Sequence, residues 1–283
     1  MSKFTNKVDF AVLVTVNKAN PNGDPLNGNR PREDYDGFGE ISDVCIKRKI
    51  RNRLQDMGET IFVQSNERCD DGQKSLSDRA KNNERLQKAL KAKDNETYAQ
   101  IACETWMDVR SFGQVFAFKS DSVSVGVRGP VSIHTAVSQT PVDIFSMQIT
   151  KSVNSEPKEK KSSDTMGTKH RIEFGLYLIK GSINCQLAEK TGFSDEDAEK
   201  IKVALQTLFE NDSSAARPDG SMEVKQLYWW EHDCPMGQYS AAQVHRSLKV
   251  KLAEHVTTPK CFEDYVISLA PLAGLEPEIL IGR

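Results

Sequence analysis

The spacing of apolar residues divides the chain into strand-like and helix-like stretches. Phe10-Ala11-Val12-Leu13-Val14-Thr15-Val16 is a run of β-branched and apolar residues of strand length, closed by the turn formers Asn20-Pro21-Asn22-Gly23-Asp24-Pro25. A buried strand therefore delivers the chain into a polar loop. Beyond the loop, Ser42 suits a helix N-cap, and Ile46, Ile50, Leu54 and Met57 recur at three- and four-residue spacing, the apolar face of a helix that packs on the sheet. Gln55 to Gln64 reads as a short strand or loop. Ser75 to Ala92 and Glu96 to Val109 then read as two inserted helices, with Leu76, Ala80, Leu86 and Leu90 facing inward on the first and Tyr98, Ile101, Ala102 and Trp106 on the second.

From Phe112 the period changes to two. Strands are expected over 112–118, 122–133, 142–150 and 171–184. The last two flank Asn154 to Asp164, a lysine-rich segment too polar to order itself by burial, so the pair predicts a projecting hairpin with a mobile tip. Ser194 caps a helix through about Phe209, with Ile201, Ala204, Leu205 and Leu208 as its stripe. Met222 to Glu231 is a further strand, and irregular segments rich in Pro and Gly finish the chain. The order strand, helix, strands, helix, strand suits a split βαβ, ferredoxin-like α+β sheet with helices on one face, a scaffold that presents a β-surface to single-stranded RNA.

Charge adds a direction to this outline. The formal net charge of the 283 residues is −2, so the chain is not basic overall. The distribution is uneven: Ser42 to Arg53 carries five Lys or Arg against one Asp, and Lys151 to Arg171 carries six against three. Acid gathers between Ser194 and Asp212, six carboxylates against two lysines; separated basic and acidic faces can bind an anion with one and a neighbouring subunit with the other, and ordinary solvated charge is the equal alternative. At about 100° per residue Lys47 and Arg51 share a flank of the first helix with Arg48 beside them, placed to project toward a phosphate chain. The helix over 75–92 is also basic, through Arg79, Lys81, Arg85, Lys88, Lys91 and nearby Lys93.

Other chemistry is thinly represented. Asn20, Asn22 and Asp24 have the opening spacing of a calcium loop, but Pro25 and Pro31 stand where its Gly and Glu belong, so no metal is expected. The same side chains can hold a tight loop by Asx turns, turning Arg30 or Arg32 toward an anion. Six cysteines lack paired spacing, as reduced thiols do, and no phosphate-binding Gly-rich motif occurs, so no cofactor is expected. Residues 110–117 match the RRM octapeptide poorly, since Ser111, Gln114 and Ala117 miss its key positions; Phe112, Phe116 and Phe118 read as core. Tyr228, Trp229 and Trp230 put at least one side chain on each face of the sheet, with packing as the default reading of all three. Five histidines show no spacing that identifies a catalytic partner. No signal peptide or membrane span is expected, and the chain reads as cytoplasmic.

Taken together, the loop 20–25, Gly37-Phe38-Gly39, Ser42 to Arg51, Asp108-Val109-Arg110-Ser111-Phe112-Gly113 and Gly129-Pro130-Val131 resemble the repeated backbone subunit of the type I CRISPR Cascade complex, closest to the type I-C kind of this RAMP superfamily. The likeness runs over almost the full length. It implies a modified RRM palm (1–59, 111–139 and 173–283), a helical finger insertion (60–110) and a β-hairpin thumb (140–172). It also implies a non-catalytic protein whose copies stack head to tail along crRNA, beside other Cascade subunits, presenting the guide to target DNA. Carried over by position, Ser42, Lys47, Arg48 and Arg51 hold the crRNA backbone with Asn22 and Arg30 in support. Met147 is the apolar wedge at a kink, and Lys151, Lys169 and Arg171 meet phosphates. The rival readings are a RAMP endoribonuclease that processes precursor crRNA, a target-cleaving type III backbone subunit using an acid such as Asp164, and a monomeric domain that binds no nucleic acid.

Overall fold

The structure, a computed structural model, describes residues 2–118, 124–150 and 166–283. The expected hairpin tip, Lys151, Asp164 and the strand start at Ser122-Val123 lie outside the described residues.

Strand β1 (Val8–Ala19) forms over the apolar run and stands at the centre of the sheet. Val8, Phe10, Val12, Val14 and Val16 enter one core while Ala11 and Leu13 enter another, and burial on both faces explains why this strand reads as continuous rather than alternating. The loop after it carries the short strands β2 (Gly23–Asp24), β3 (Arg30–Pro31) and β4 (Phe38–Ile41). Helix α1 (Asp43–Asp56) follows, capped by Ser42, whose Oγ accepts the Cys45 N–H. Its Ile46, Ile50 and Leu54 are almost fully buried, each side chain contributing roughly 2 kcal/mol.

Both predicted insertion helices are broken. The first becomes α2 (Leu76–Lys81) and α3 (Glu84–Ala92), because Asn83 turns its side chain back to accept the N–H groups of Arg85 and Leu86 and so starts a new helix. The second becomes α4 (Asn95–Thr105) and α5 (Met107–Phe112), separated by the extended residue Trp106. Phe112 thus ends a helix instead of opening a strand, and β5 (Gly113–Phe116) pairs with β6 (Val125–Arg128). These elements enclose their own core of Phe62, Leu86, Tyr98, Trp106, Phe116 and Val125.

After Gly129-Pro130 come β7 (Val131–Ile133), β8 (Ala136–Pro141), β9 (Ile144–Thr150) and the long β10 (Met166–Ile183). Helices α6 (Cys185–Thr191) and α7 (Asp195–Gln206) follow, the second closed by a capping box between Ser194 and Asp197. Strand β11 (Met222–Glu231) forms over the predicted range. The C-terminal stretch, expected to be irregular, folds into α8 (Ala241–Ser247), β12 (Leu248–Leu252), β13 (Tyr265–Leu269) and β14 (Glu278–Ile281).

The fold is α+β around an antiparallel sheet ordered β14-β11-β1-β10-β8-β4, with β7 and β9 also on β10. The run β11-β1-β10-β7/β8 has the strand order of the expected split βαβ. Helices α1 and α7 cover one face. The other face is not open: Val244, Leu248 and Tyr265 from the C-terminal elements pack on Ala11, Leu13, Leu176, Tyr228 and Trp230. All three aromatics of 228–230 are buried, so none stands ready to stack a base. No helix among the described residues is long and apolar enough to cross a membrane.

Candidate nucleic-acid interface

The loop between β1 and α1 is held by its own side chains. Asn22 Oδ1 accepts both the backbone N–H (2.9 Å) and the hydroxyl (2.8 Å) of Ser42, which ties the loop to the start of α1. Asn20 Nδ2 donates to the Asn29 carbonyl at 2.7 Å. Asp24 forms the expected Asx turn, accepting the Leu26 N–H, and also receives Arg32 Nη2 at 3.4 Å. Arg30 leaves the loop instead: its Nη1 reaches Ser146 Oγ on β9 at 3.4 Å, with Glu33 at 3.9 Å from Nη2. Gly39 is required by close approach, because a Cβ there would lie 2.1 Å from Tyr177 Oη.

The basic residues of α1 are more committed than their spacing predicts. Lys47 pairs with Asp43 one turn back, at 3.0 Å, and its side chain is 22% exposed. Arg48 donates Nη1 to the Val63 carbonyl at 2.6 Å; burial, and then the adjacent Arg51 charge, push its pKa below the ordinary arginine value. Arg51 donates Nε to the fully buried Asp108 at 2.9 Å and lies over the Phe112 ring at 5.1 Å. Arg48 and Arg51 therefore join α1 to the insertion rather than projecting freely from an open flank. Lys49 is buried against Asp212, while Arg53 meets Asp56 and Glu210. Asp197, from the same acidic stretch, takes Arg110 at 2.8 Å. The acid that could have formed a separate face is thus largely consumed by nearby cations, including those of α1.

The motif residues 108–113 also have local work to do. Asp108 accepts the N–H groups of Phe62 (2.7 Å) and Val63 (3.1 Å) as well as Arg51. Gly113 adopts φ 81°, and its backbone passes so close to 127–129 that a Cβ would lie 2.4 Å from the Val127 carbonyl oxygen.

Past the end of β1, β9 and the first half of β10 continue as a two-stranded hairpin. Met147 stands opposite Lys169 and Phe145 opposite Arg171, so Phe145, Met147, Ile149, Lys169 and Arg171 share one face. Phe145 and Ile149 are 46% and 47% exposed, an apolar strip flanked by cations. Arg171 lies over Phe145 at 5.3 Å and donates Nε to Glu173 at 3.0 Å. The opposite face carries Ser146 bonded to His170 at 2.8 Å, where Arg30 attaches. The fold thus brings together Asn22 with Ser42, Arg30 with the hairpin, and Met147 with Lys169 and Arg171. Phe145, Ile149 and Ser146 were not singled out from the sequence; the alternation of 145, 147 and 149 beside a polar tip was the available signal.

Two of the histidines are structural. His232 is buried with Nε2 on Asp9 at 2.9 Å, and His245 is buried with Nε2 on the Gly181 carbonyl at 3.1 Å. No cluster of metal-ligating side chains occurs among the described residues.

The sequence model of one family, described as CRISPR-associated protein Cas7, matches residues 6–270. A CRISPR-associated protein Cas7 of Haloferax volcanii is 25% identical over 228 residues, covering 74% of this chain and 66% of its own length, so the chain spans slightly less than two thirds of that curated relative. Two chains of solved assemblies also overlap with this fold. One, from a CRISPR RNA-guided surveillance complex, pre-nicking, has a TM-score of 0.47 at 16% identity, covering 79% of this chain and 78% of that one. The other, from a CRISPR RNA-guided surveillance complex, has 0.41 at 15%, covering 79% and 68%.

Proposed function

The chain belongs to the CRISPR-associated Cas7 family, and on that premise we propose that it is a non-catalytic crRNA-binding backbone subunit of a type I-C Cascade. In this reading, copies stack head to tail along the guide, beside other Cascade subunits, and present it to target DNA. The central sheet is the palm, the insertion from about residue 60 is the finger, and the β9–β10 hairpin is the thumb.

One observation carries the reading: Met147 lies between Lys169 and the Phe145–Arg171 pair on one hairpin face, while Arg30 bridges that hairpin to the Asn22–Ser42 loop. Cations beside an exposed apolar strip suit a strand whose phosphates are neutralised while its stacking is interrupted. Lysine and arginine contacts to phosphate give affinity without reading sequence, which a carrier of arbitrary guides requires. Lys47 extends the phosphate track, and Arg30 supports it by tying the loop to the hairpin's opposite face. Asn22 and Ser42 fix the loop, and Arg48 and Arg51 fix the finger against α1, so that the track keeps its shape.

Co-expression with a CRISPR array tests this directly. The expected product is a large particle containing RNA of uniform length. Lys169→Ala with Arg171→Ala should keep the thermal midpoint but release guide at lower salt, reducing the log–log salt slope by about 1.4 for two single-strand phosphate contacts. Unchanged retention and slope would remove the hairpin from the site. Metal-independent cleavage of repeat RNA, abolished by replacing one histidine, would instead support the endoribonuclease reading.

A further inference from the structure

We propose that Tyr35 of one copy docks into an apolar groove beside β14 of the next; this rests on the stacked copies of the reading above and names the surfaces that join them. Tyr35 is fully exposed, yet the turn that carries it is locked. Asp34 Oδ1 accepts the N–H groups of Asp36 (2.9 Å) and Phe38 (2.8 Å), and Gly37, at φ 81°, donates its N–H to the Asp34 carbonyl at 3.2 Å. An aromatic side chain held out on a rigid turn loses little freedom when it is covered, which is the property of an interface anchor.

The receiving groove has a volume of about 320 Å³, with walls from Trp230, Leu269, Leu272, Pro277 and Ile279 and one charged group, Glu276. Ile279 is 49% exposed and Ile281, two residues on along the same face of β14, is 67% exposed, so the apolar surface continues past the groove. Glu276 makes no hydrogen bond or ion pair among the described residues. Apolar walls beside a free carboxylate suit a ring with a hydroxyl at its end: the phenol body fills the groove and its O–H donates to Glu276.

Position and charge make the occupant another copy of this chain. Strand β4, which continues the Tyr35 turn, and β14 stand at the two ends of the sheet order β14-β11-β1-β10-β8-β4, five interstrand steps of about 4.8 Å apart. Tyr35 therefore meets this groove on a neighbouring molecule, and a contact between two different patches repeats without closing. Asp34 and Asp36 flank Tyr35 on the exposed turn. At the groove, Ala270 donates its N–H to the Ser247 carbonyl at 2.8 Å, which sets the chain from Arg246 to Lys249 along the rim. Arg246 and Lys249 are exposed and make no ion pair among the described residues, so an acidic turn meets a basic rim.

The test places the photoreactive p-benzoylphenylalanine at position 35 of the full chain, co-expressed with a CRISPR array. Irradiation should give a ladder of covalent multimers in which position 35 is joined to peptides from 269–279. Tyr35→Ala should weaken association between copies about thirtyfold in sedimentation across a protein dilution series, the loss of one hot-spot side chain. Tyr35→Phe and Glu276→Ala should each weaken it about tenfold, and together no more than either alone, because both remove one hydrogen bond. Thermal midpoints should stay unchanged, since both side chains are exposed. Crosslinks from position 35 to RNA, crosslinks to other peptides, or association unmoved by Tyr35→Ala would overturn the docking, and guide still bound in those samples would leave the guide-binding reading standing. Association that requires Tyr35 in a particle without guide would overturn the guide-binding reading and leave the docking in place. A wild-type chain that is monomeric and free of RNA would overturn both.

Discussion

Replacing Asp108 with alanine should be among the most damaging single changes in the insertion. The carboxylate is fully buried and accepts three hydrogen bonds, from the N–H groups of Phe62 and Val63 and from Arg51 Nε. Alanine leaves two backbone donors unsatisfied at about 1–2 kcal/mol each, and strands a largely buried guanidinium at about 3 kcal/mol. These losses overlap because the three donors share one acceptor group, so a total of about 4–5 kcal/mol is expected, against a folding stability of order 5–15 kcal/mol. Asp108→Asn keeps one carbonyl acceptor and should cost about half as much. Denaturant unfolding of the purified chain, analysed alongside Arg51→Ala and the double variant, measures both the loss and the coupling. The cycle should show at least about 1 kcal/mol of coupling between Asp108 and Arg51. A destabilisation below about 1 kcal/mol for Asp108→Ala, or a coupling near zero, would refute the clamp between α1 and the insertion.

Asn22→Ala removes the acceptor shared by the Ser42 N–H and hydroxyl and should cost about 1–2 kcal/mol, seen as a lower unfolding midpoint and weaker guide retention at moderate salt. Gly39→Ala should destabilise by about 1–3 kcal/mol because the new methyl meets the buried Tyr177 hydroxyl; Tyr177→Phe in the same chain should recover part of the loss in thermal melts. At Asp9 burial acts to raise the pKa, but hydrogen bonds from Lys7, Ser182 and His232, with the charge of Lys7, overcome it and leave the pKa lowered. A carboxylate with a depressed folded-state pKa contributes stability that is fully present above its unfolded value, near 3.8, and is lost as pH falls through the folded value. Asp9→Asn should therefore reduce the stability difference between neutral pH and pH about 3, measured by unfolding across that window.

Much of the fold was legible because it depends on local periodicity. The run at 10–16, the helix started by Ser42 and the strand at 222–231 formed where their patterns indicated, since apolar spacing and caps act within a few residues. The same logic could not see the breaks at Asn83 and Trp106, where capping and packing overrode helical spacing. It also missed the C-terminal elements that close the second face of the sheet, because their short strands become stable only against Leu13, Leu176 and Trp230, which are distant in sequence.

The sequence by itself determined which residues carry charge, where the elements start, and that a polar loop follows a buried strand. It could not determine which charges are free. Lys47, Lys49, Arg51 and Arg53 form one basic run on paper, yet Asp43, Asp212, Asp108 and Glu210 meet them one by one, three of those acids arriving from elsewhere in the chain. The row of Met147, Lys169 and Arg171 was likewise decided by strand register, because opposite residues on paired strands share a face whatever their separation in sequence. Charge pairing and register are long-range properties, fixed when the chain closes on itself, and here they decide which cations are tied to carboxylates and which share a face with exposed apolar side chains.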